Sequence, residues 1–256
     1  MHRFLSGEIS RGRNRSGKSW LADLPPVTDS DTTAFAAAAA TSGEHDGDDD
    51  ENDDGASEII KFYTNQSADH RNRTLSDILS STNWELECSH DYIQTLFPLP
   101  EPSPYNPLAP TIDPATAAAF RSSSALRLAL RSSLLRMLSF YGFDTAVNAS
   151  GELTITRGNG WSSRSAFWRR RFNHNHLRIT RIIRCLRVLG CEGDARKFYH
   201  AVSRSEGVGG RSLMYWRRAL RRGLEVLPED EDGVGDVGRS DDGDGEEGEE
   251  GEEGVP

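Results

Sequence analysis

The residues best suited to metal chemistry are the histidines of the motif HNH at 174–176. Imidazole is a common zinc ligand, and His200, Cys185 and Cys191 are further donors of a suitable type. Zinc sites normally have four ligands at tighter spacings, and a lone HxH motif does not provide them. We therefore predict structural histidines, with no metal and no cofactor.

Arginine is the second residue type that could do chemistry here, because guanidinium groups bind phosphates. After the histidines, arginines recur at every third residue, at Arg178, Arg181, Arg184 and Arg187. A step of three residues drifts by about 60° around a helix, so the four spread over about half of the circumference. This spread is typical of a solvated polar face, and we predict that the four arginines lie opposite the buried side of their helix.

Nucleic-acid binding is the alternative use of these cations. Trp161 and Trp168 lie near arginines in the sequence, and aromatic rings beside cations can stack bases while the cations bind phosphates. A polyanion or nucleic acid is therefore a candidate partner. The candidate anion contacts are Arg169, Arg170, Arg171, Arg178 and Arg181.

Sequence motifs for catalysis are missing. The chain contains no nucleophile motif, no glycine-rich phosphate loop and no paired-carboxylate signature. We therefore predict no catalytic residues, and a binding protein rather than an enzyme.

The candidate residues depend on a helix that the sequence predicts over 173–190. Asn175 is placed as an N-cap and Gly190 as a left-handed C-terminal cap. Apolar side chains within this helix fall in about a third of its circumference, the width of a core-facing stripe. These are Ile179, Ile182, Ile183, Leu186 and Leu189.

Other periodic segments predict an all-α fold, a single helical domain of about seven helices. One helix is expected over 84–97, with His90 in the core on its apolar face. Another is expected over 212–227, with Ser212 as its N-cap. Residues 153–155 alternate in polarity and predict no more than a two-stranded sheet.

The distribution of charge divides the chain into a basic body between two acidic arms. The net charge is −7 over residues 1–55, +10 over 56–228 and −13 over 229–256. We predict a disordered N-terminal arm at 1–57, the helical domain at 58–228 and a disordered acidic Gly/Glu tail at 229–256. The tail is expected to contact the basic body and to screen its charge.

The cellular location follows from cysteines and hydropathy. The three cysteines form no CxxC motif and no paired framework, which favours a reducing compartment. No apolar run reaches the roughly 18–20 residues that a membrane span needs. We expect an intracellular protein, nuclear or cytoplasmic.

Two long stretches carry a family resemblance: NWELECSHDYIQTLFPLPEPSPYN at 83–106 and HNHLRITRIIRCLRVLG at 174–190. They resemble the opioid growth factor receptor conserved region, which has an HDYIQWLFP block after a tryptophan and later an HNHLRITRI helix. Shorter matches occur in the same order, with FY at 62–63, MLSFYG at 137–142 and YWRRA at 215–219. The resemblance covers roughly residues 59–222.

The resemblance implies a non-enzymatic protein that binds a short opioid peptide and is soluble or peripherally membrane-associated, often near the nucleus. A peptide with a free amine and aromatic rings requires acidic and aromatic side chains in a groove. The candidates nearest the motif are Trp84, Glu85, Glu87, Asp91 and Tyr92. One residue departs from the family pattern, since Thr95 stands where the family usually has tryptophan. If that aromatic ring helps to hold the ligand, its role is changed here.

Overall fold

The computed structural model describes residues 19–25, 27, 57–171 and 173–225, which are mostly helical. They form a 3-10 helix at Trp20–Asp23, ten α-helices and two antiparallel strands. The elements are α1 (Glu58–Tyr63), α2 (Leu75–Ser80), α3 (Asn83–Cys88), α4 (Tyr92–Leu96), α5 (Pro114–Ser122), α6 (Ser124–Tyr141), β1 (Phe143–Val147), β2 (Leu153–Arg157), α7 (Trp161–Trp168), α8 (Asn175–Val188), α9 (Glu192–Ser203) and α10 (Gly210–Arg221). The mainly helical class is confirmed, but the predicted number of about seven helices is too low.

Helix α8 lies at the centre of the core, as its apolar stripe predicts. Ile179, Ile182 and Ile183 are fully buried, and α9 and α10 pack against the helix. Gly190 has φ +87° at its C-terminal end, which confirms the predicted left-handed cap. The predicted N-cap is wrong, because Asn175 is the first residue of the helix. Its backbone N–H donates instead to Oδ1 of Asn173 at 2.9 Å.

Several helix ends are fixed by residues within their own first or last turn. Thr74 forms a capping box with Asp77 at the start of α2. Asp113 caps α5, whose first residue is a proline, and Ser123 both ends α5 and caps α6. Gly142, with φ +95°, ends α6. These signals act within a single helical turn, so the sequence alone locates them.

The helix predicted over 84–97 is instead two short helices, α3 and α4, separated by Ser89, His90 and Asp91. Ser89 has an extended backbone, and its Oγ donates to Asp91 Oδ1 at 2.8 Å. Serine and aspartate side chains compete with the helical backbone in this way, and here they end the first helix. His90 is therefore exposed, and its predicted place in the core is wrong.

Two elements near the C-terminal half also differ from expectation. Helix α7 is an element that the sequence did not predict, whereas the predicted two-stranded sheet is present. Helix α10 begins at Gly210, so Ser212 is not its N-cap. Ser212 Oγ lies 2.7 Å from Nδ1 of His176, a contact 36 residues apart in sequence.

The arginines of α8 do not form a solvated face, and that prediction is wrong. Arg178 and Arg184 are each only 5% exposed. Arg178 donates to the carbonyl oxygens of Leu86 and Ser89, at the end of α3, and Arg184 pairs with Glu101. The helix is thus buried nearly all round, with its cations matched to oxygens.

The same pattern recurs across the domain: an arginine of one helix donates to carbonyl oxygens at the C-terminus of another. Such carbonyls have no hydrogen-bond partner within their own helix and carry the negative end of the helix dipole. A guanidinium donates a hydrogen bond to the carbonyl and places a positive charge at this end of the dipole. Seven arginines do this, namely Arg121 for α8, Arg127 for α5, Arg136 for α2, Arg164 for α6, Arg178 for α3, Arg181 for α4 and Arg187 for α10.

The described part of the predicted N-terminal arm is packed on the domain. Leu21, in the 3-10 helix, is 4% exposed and belongs to the core. Arg121 Nε donates to the carbonyl of Pro25 at 2.8 Å, and Val27 lies against Gly190. Residues 1–57 are therefore not uniformly an unpacked arm. Among the described helices, none has the length and apolar character that crossing a bilayer requires.

Candidate ligand-binding groove

A groove lined by aromatic rings opens between α3 and α7. Its cavity volume is about 190 Å³. Trp84 and Phe167 line this cavity and are 75% and 63% exposed. The lining residues are Asn83, Trp84, Glu87, Phe140, Arg164, Phe167, Trp168 and Asn175. These eight residues form the aromatic groove.

Local structure explains why Trp84 points outward. Thr82 and Glu85 form a capping box, which fixes the first turn of α3. Leu86, two residues after Trp84, is buried at 2% exposure, so the helix orients Trp84 towards solvent. The backbone N–H and the side-chain hydroxyl of Thr82 both donate to the Glu85 carboxylate, and these hydrogen bonds lower the pKa of Glu85. The backbone hydrogen bond has the larger effect.

On the opposite wall, neighbouring aromatic residues of α7 point in different directions. Trp168 is buried and its Nε1 donates to the carbonyl of Tyr141 at 3.0 Å, at the C-terminus of α6. Because Trp168 is fixed in this way, Phe167 remains on the outside. Phe140, 8% exposed, also lines the groove.

The groove contains one carboxylate and one guanidinium. Glu87 Oε2 accepts from Asn175 Nδ2 at 3.2 Å, and Glu87 Oε1 lies 3.4 Å from His174 Nε2. Arg164 Nη1 donates to the carbonyl of Ser139 at 2.8 Å. The site therefore offers a negative and a positive group beside an apolar cavity.

His174 lies beside the Glu87 carboxylate as a neutral imidazole. Burial and the charge of Arg178 lower its pKa below the ordinary value, against the smaller opposing effect of Glu87. The ring of His90 lies 5.1 Å from that of His174, centroid to centroid. At neutral pH the imidazole of His174 therefore does not offset the negative charge of Glu87.

A second, more polar depression lies on the other side of Trp84, with a volume of about 550 Å³. Asp91 is its most highly connected residue, with Arg73 Nη2 at 3.2 Å, His70 Nε2 at 3.3 Å and a close contact to Arg71. Burial opposes ionisation of Asp91, but the hydrogen bond from Ser89 and the charges of both arginines outweigh it and lower its pKa. This carboxylate is already neutralised by the protein.

The five predicted ligand-binding residues therefore lie in three different parts of the domain. Trp84 and Glu87 line the aromatic groove, whereas Glu85 and Asp91 line the second depression. Tyr92 is fully buried, with its hydroxyl 3.8 Å from the sulfur of Met137, and burial raises its pKa to about 12. Tyr92 belongs to the core and cannot contact a ligand at the surface.

The sequence did not identify Phe140, Arg164 or Phe167 as part of a site. No local signal marks Phe167 as exposed, because the adjacent aromatic pairs Phe62-Tyr63 and Phe140-Tyr141 are both buried in helices of the same domain. Thr95 is buried at 4% exposure in α4 and lines neither depression. The departure from the family pattern at this position therefore alters the core rather than the groove.

The predicted anion contacts do not form one surface. Arg178 is buried, and Arg181 Nη1 donates to the carbonyl of Phe97 at 3.2 Å. Arg169 Nη1 donates to the carbonyl of Glu206 at 2.9 Å. Arg170 and Arg171 are exposed.

The histidines of the HNH motif lie in separate environments. His176 Nε2 is 2.7 Å from the Trp168 carbonyl, so this nitrogen carries the proton and Nδ1 accepts from Ser212. Burial lowers the pKa of His176. Among the described residues, no three His, Cys, Asp or Glu side chains are grouped so that they could hold a metal ion.

Comparison with known proteins gives a consistent set of relatives. A family model described as the opioid growth factor receptor (OGFr) conserved region matches residues 52–202. The rat protein named opioid growth factor receptor is 37% identical over 145 residues, which are 52% of this chain and 23% of the rat protein. The human protein of that name is 35% identical over 147 residues, or 54% of this chain and 20% of the human protein.

The mouse opioid growth factor receptor is 36% identical over 145 residues, which are 52% of this chain and 21% of the mouse protein. The matched region thus corresponds to between a fifth and a quarter of these relatives. No solved structure gives a significant match.

Proposed function

Because this chain belongs to the opioid growth factor receptor conserved-region family, we propose that it is a receptor-like module that binds a short peptide in the aromatic groove. The observation that carries the proposal is the exposure of Trp84 and Phe167, 75% and 63%, beside one cavity. Large apolar side chains grouped at a surface mark interaction sites, and aromatic residues dominate binding energy at such sites.

The size and charges of the groove support a peptide. Its volume of about 190 Å³ is below the roughly 300–1,000 Å³ of drug-sized sites, so it suits one large side chain. An aromatic ring of the ligand would lie between Trp84 and Phe167. A free amine would pair with Glu87, and Arg164 would face a carbonyl or carboxylate of the ligand.

A binding role also agrees with the state of the two buried thiols, whereas the third thiol, Cys88, is exposed. Burial raises the pKa of Cys185 far above its ordinary value and that of Cys191 to about 12. A buried thiol with a raised pKa is inert. We propose that the module is not an enzyme.

The contacts of Arg178 and Arg181 argue against nucleic-acid binding by the arginines of α8. Arg178 and Arg181 are occupied by backbone carbonyls, and exposing them to phosphates would uncap α3 and α4. The peptide proposal requires no such rearrangement.

The proposal is tested by titrating the full chain with a labelled opioid pentapeptide that has a free N-terminal amine. Trp84→Ala and Phe167→Ala should each weaken binding by about ten-fold or more, the loss typical of a central aromatic contact. Tyr105→Ala is the matched control, since Tyr105 is 76% exposed but lies outside the groove. Unchanged affinity in both groove variants would exclude this site.

A second pair of measurements tests the role of Glu87. Acetylating the peptide amine should weaken binding to the unmodified protein by about ten-fold, because a charge-assisted hydrogen bond is lost. The same acetylation should have little effect on Glu87→Gln, which has already lost the charge. Equal losses in both proteins would place the amine elsewhere.

A further inference from the structure

The outer side of α10 carries a stripe of cations around one aromatic ring. Arg211, Tyr215 and Arg218 occupy positions i, i+4 and i+7 and fall within about 60° on the helix. Trp216 and Leu220 are buried on the opposite side. The guanidiniums of Arg211 and Arg218 lie 5.9 and 6.0 Å from the centroid of the Tyr215 ring. With Arg221, which is exposed one turn further on, these residues are called the arginine stripe.

The stripe differs from the arginines of α8 in what it contacts. In the described ranges, no carboxylate or backbone carbonyl pairs with Arg211, Arg218 or Arg221, whereas all four arginines of α8 are bound to oxygens. Arg211 and Arg221 are also solvent-exposed. Three arginines that the fold does not use for capping thus lie along one side of this helix.

We propose that the arginine stripe binds single-stranded nucleic acid, with phosphates on the guanidiniums and a base stacked against Tyr215. Arginine binds phosphate through two parallel N–H···O bonds, and its plane stacks on bases and aromatic rings. Alternation of cations with an aromatic ring is the usual composition of surfaces that bind single strands without sequence preference.

Other anionic partners fit these observations less well. A helix that lies in a membrane surface buries its apolar face among the lipids, but the apolar face of α10 is already in the protein core. An acidic polypeptide would satisfy the arginines and would leave Tyr215 without a role. The aromatic ring within the stripe therefore favours a partner that has both phosphates and bases.

The first test measures salt-dependent binding of a fluorescent oligothymidylate of about 15 nucleotides to the full chain. The triple variant Arg211→Gln, Arg218→Gln, Arg221→Gln should reduce the slope of log affinity against log salt by about 2, since each phosphate contact to a single strand contributes about 0.7. Its affinity at low salt should fall by about ten-fold or more.

The matched control removes three exposed arginines outside the stripe and gives the same net charge: Arg71→Gln, Arg196→Gln, Arg204→Gln. This control should bind within about two-fold of the unmodified protein. An equal loss in both triple variants would overturn the proposal, because it would show attraction to the whole positive domain. Trp84→Ala should also leave oligonucleotide binding unchanged, which separates this test from that of the peptide groove.

The second test isolates the aromatic ring. Tyr215→Leu should weaken oligonucleotide binding by about five-fold or more without changing the salt slope, whereas Tyr215→Phe should remain within about two-fold. Thermal melts of each variant establish that it is folded. Equal affinity of the leucine and phenylalanine variants would refute base stacking.

Two competitors identify the wrong partner classes. Polyglutamate of the same total charge should displace the oligonucleotide only weakly, and equally effective displacement would replace nucleic acid by an acidic polypeptide. Vesicles of phosphatidylserine and phosphatidylcholine should not bind through the stripe. Vesicle binding that is lost in the stripe triple variant, with no oligonucleotide binding, would assign the surface to membranes.

Discussion

Replacement of Arg178 by methionine is the sharpest test of how this domain is held together. Its Nη1 is 3.1 Å from both the Leu86 carbonyl and Asn175 Oδ1, and its Nη2 is 2.6 Å from the Ser89 carbonyl. The guanidinium also lies 5.3 Å from the ring centroid of Tyr92. Methionine retains most of the apolar stem and removes only the cation and its donors.

The expected loss is about 3–7 kcal/mol in the free energy of unfolding. Hydrogen bonds to a charged group contribute about 1.5–3 kcal/mol each, and two carbonyls at the end of α3 lose their donor. The interaction of the cation with the helix dipole adds about 0.3–1 kcal/mol. For a domain of this size the melting temperature should fall by about 6–28 °C.

The assay is chemical denaturation followed by circular dichroism, with Arg170→Met as the control for an exposed arginine. The control should change stability by no more than about 0.5 kcal/mol. Arg178→Lys should be intermediate, because lysine keeps the charge but not the forked geometry. If Arg178→Met and Arg170→Met have the same midpoint and slope, Arg178 does not cap α3 and its buried contacts do not stabilise the domain.

Three further predictions follow from the core and its histidines. Ile183→Asp should destabilise the domain by several kcal/mol, because it buries an unpaired charge at the centre of α8. A thermal melt measures this as loss of the cooperative transition. The control Leu177→Asp, at a 60% exposed position of the same helix, should melt close to the unmodified protein. The folded-state pKa values of His174 and His176 are lowered, so their contribution to stability is present above the ordinary pKa near 6.5 and is lost as the pH falls below it. Thermal melts between pH 7.5 and 5 should show this decline, and a flat profile would contradict it. Leu21→Ala should cost about 2–5 kcal/mol because Leu21 is buried, and an unchanged melt would mean that the N-terminal segment does not contribute to the core.

Features that arise within one or two helical turns could be predicted from the sequence. The stripe of Ile179, Ile182 and Ile183 specifies a buried helix by its spacing alone. Thr74 and Gly190 act on backbone groups of their own helix ends, so their residue types are sufficient signals. The centre of the fold and these helix ends therefore required no knowledge of tertiary structure.

Contacts between distant segments could not be predicted in this way. The carbonyls that Arg178 binds are 92 and 89 residues away in sequence, and periodicity gives no sign of them. Without those partners, an arginine on a helix is expected in solvent. The same limit applies to the groove: the exposure of Trp84 is a local property of α3, but its position beside Phe167 results from the packing of α3 and α7.

The arginine caps also connect the core to the groove. Helices α3 and α4 have only six and five residues, lengths at which an isolated helix is unstable in water. Arg178 and Arg181 supply from α8 the donors that the ends of these helices lack. Since α3 carries both Trp84 and Glu87, the central helix holds one whole wall of the groove in place. A peptide that binds this wall must then stabilise α3, and an arginine that caps α3 must strengthen peptide binding, because the two effects act on the same short helix.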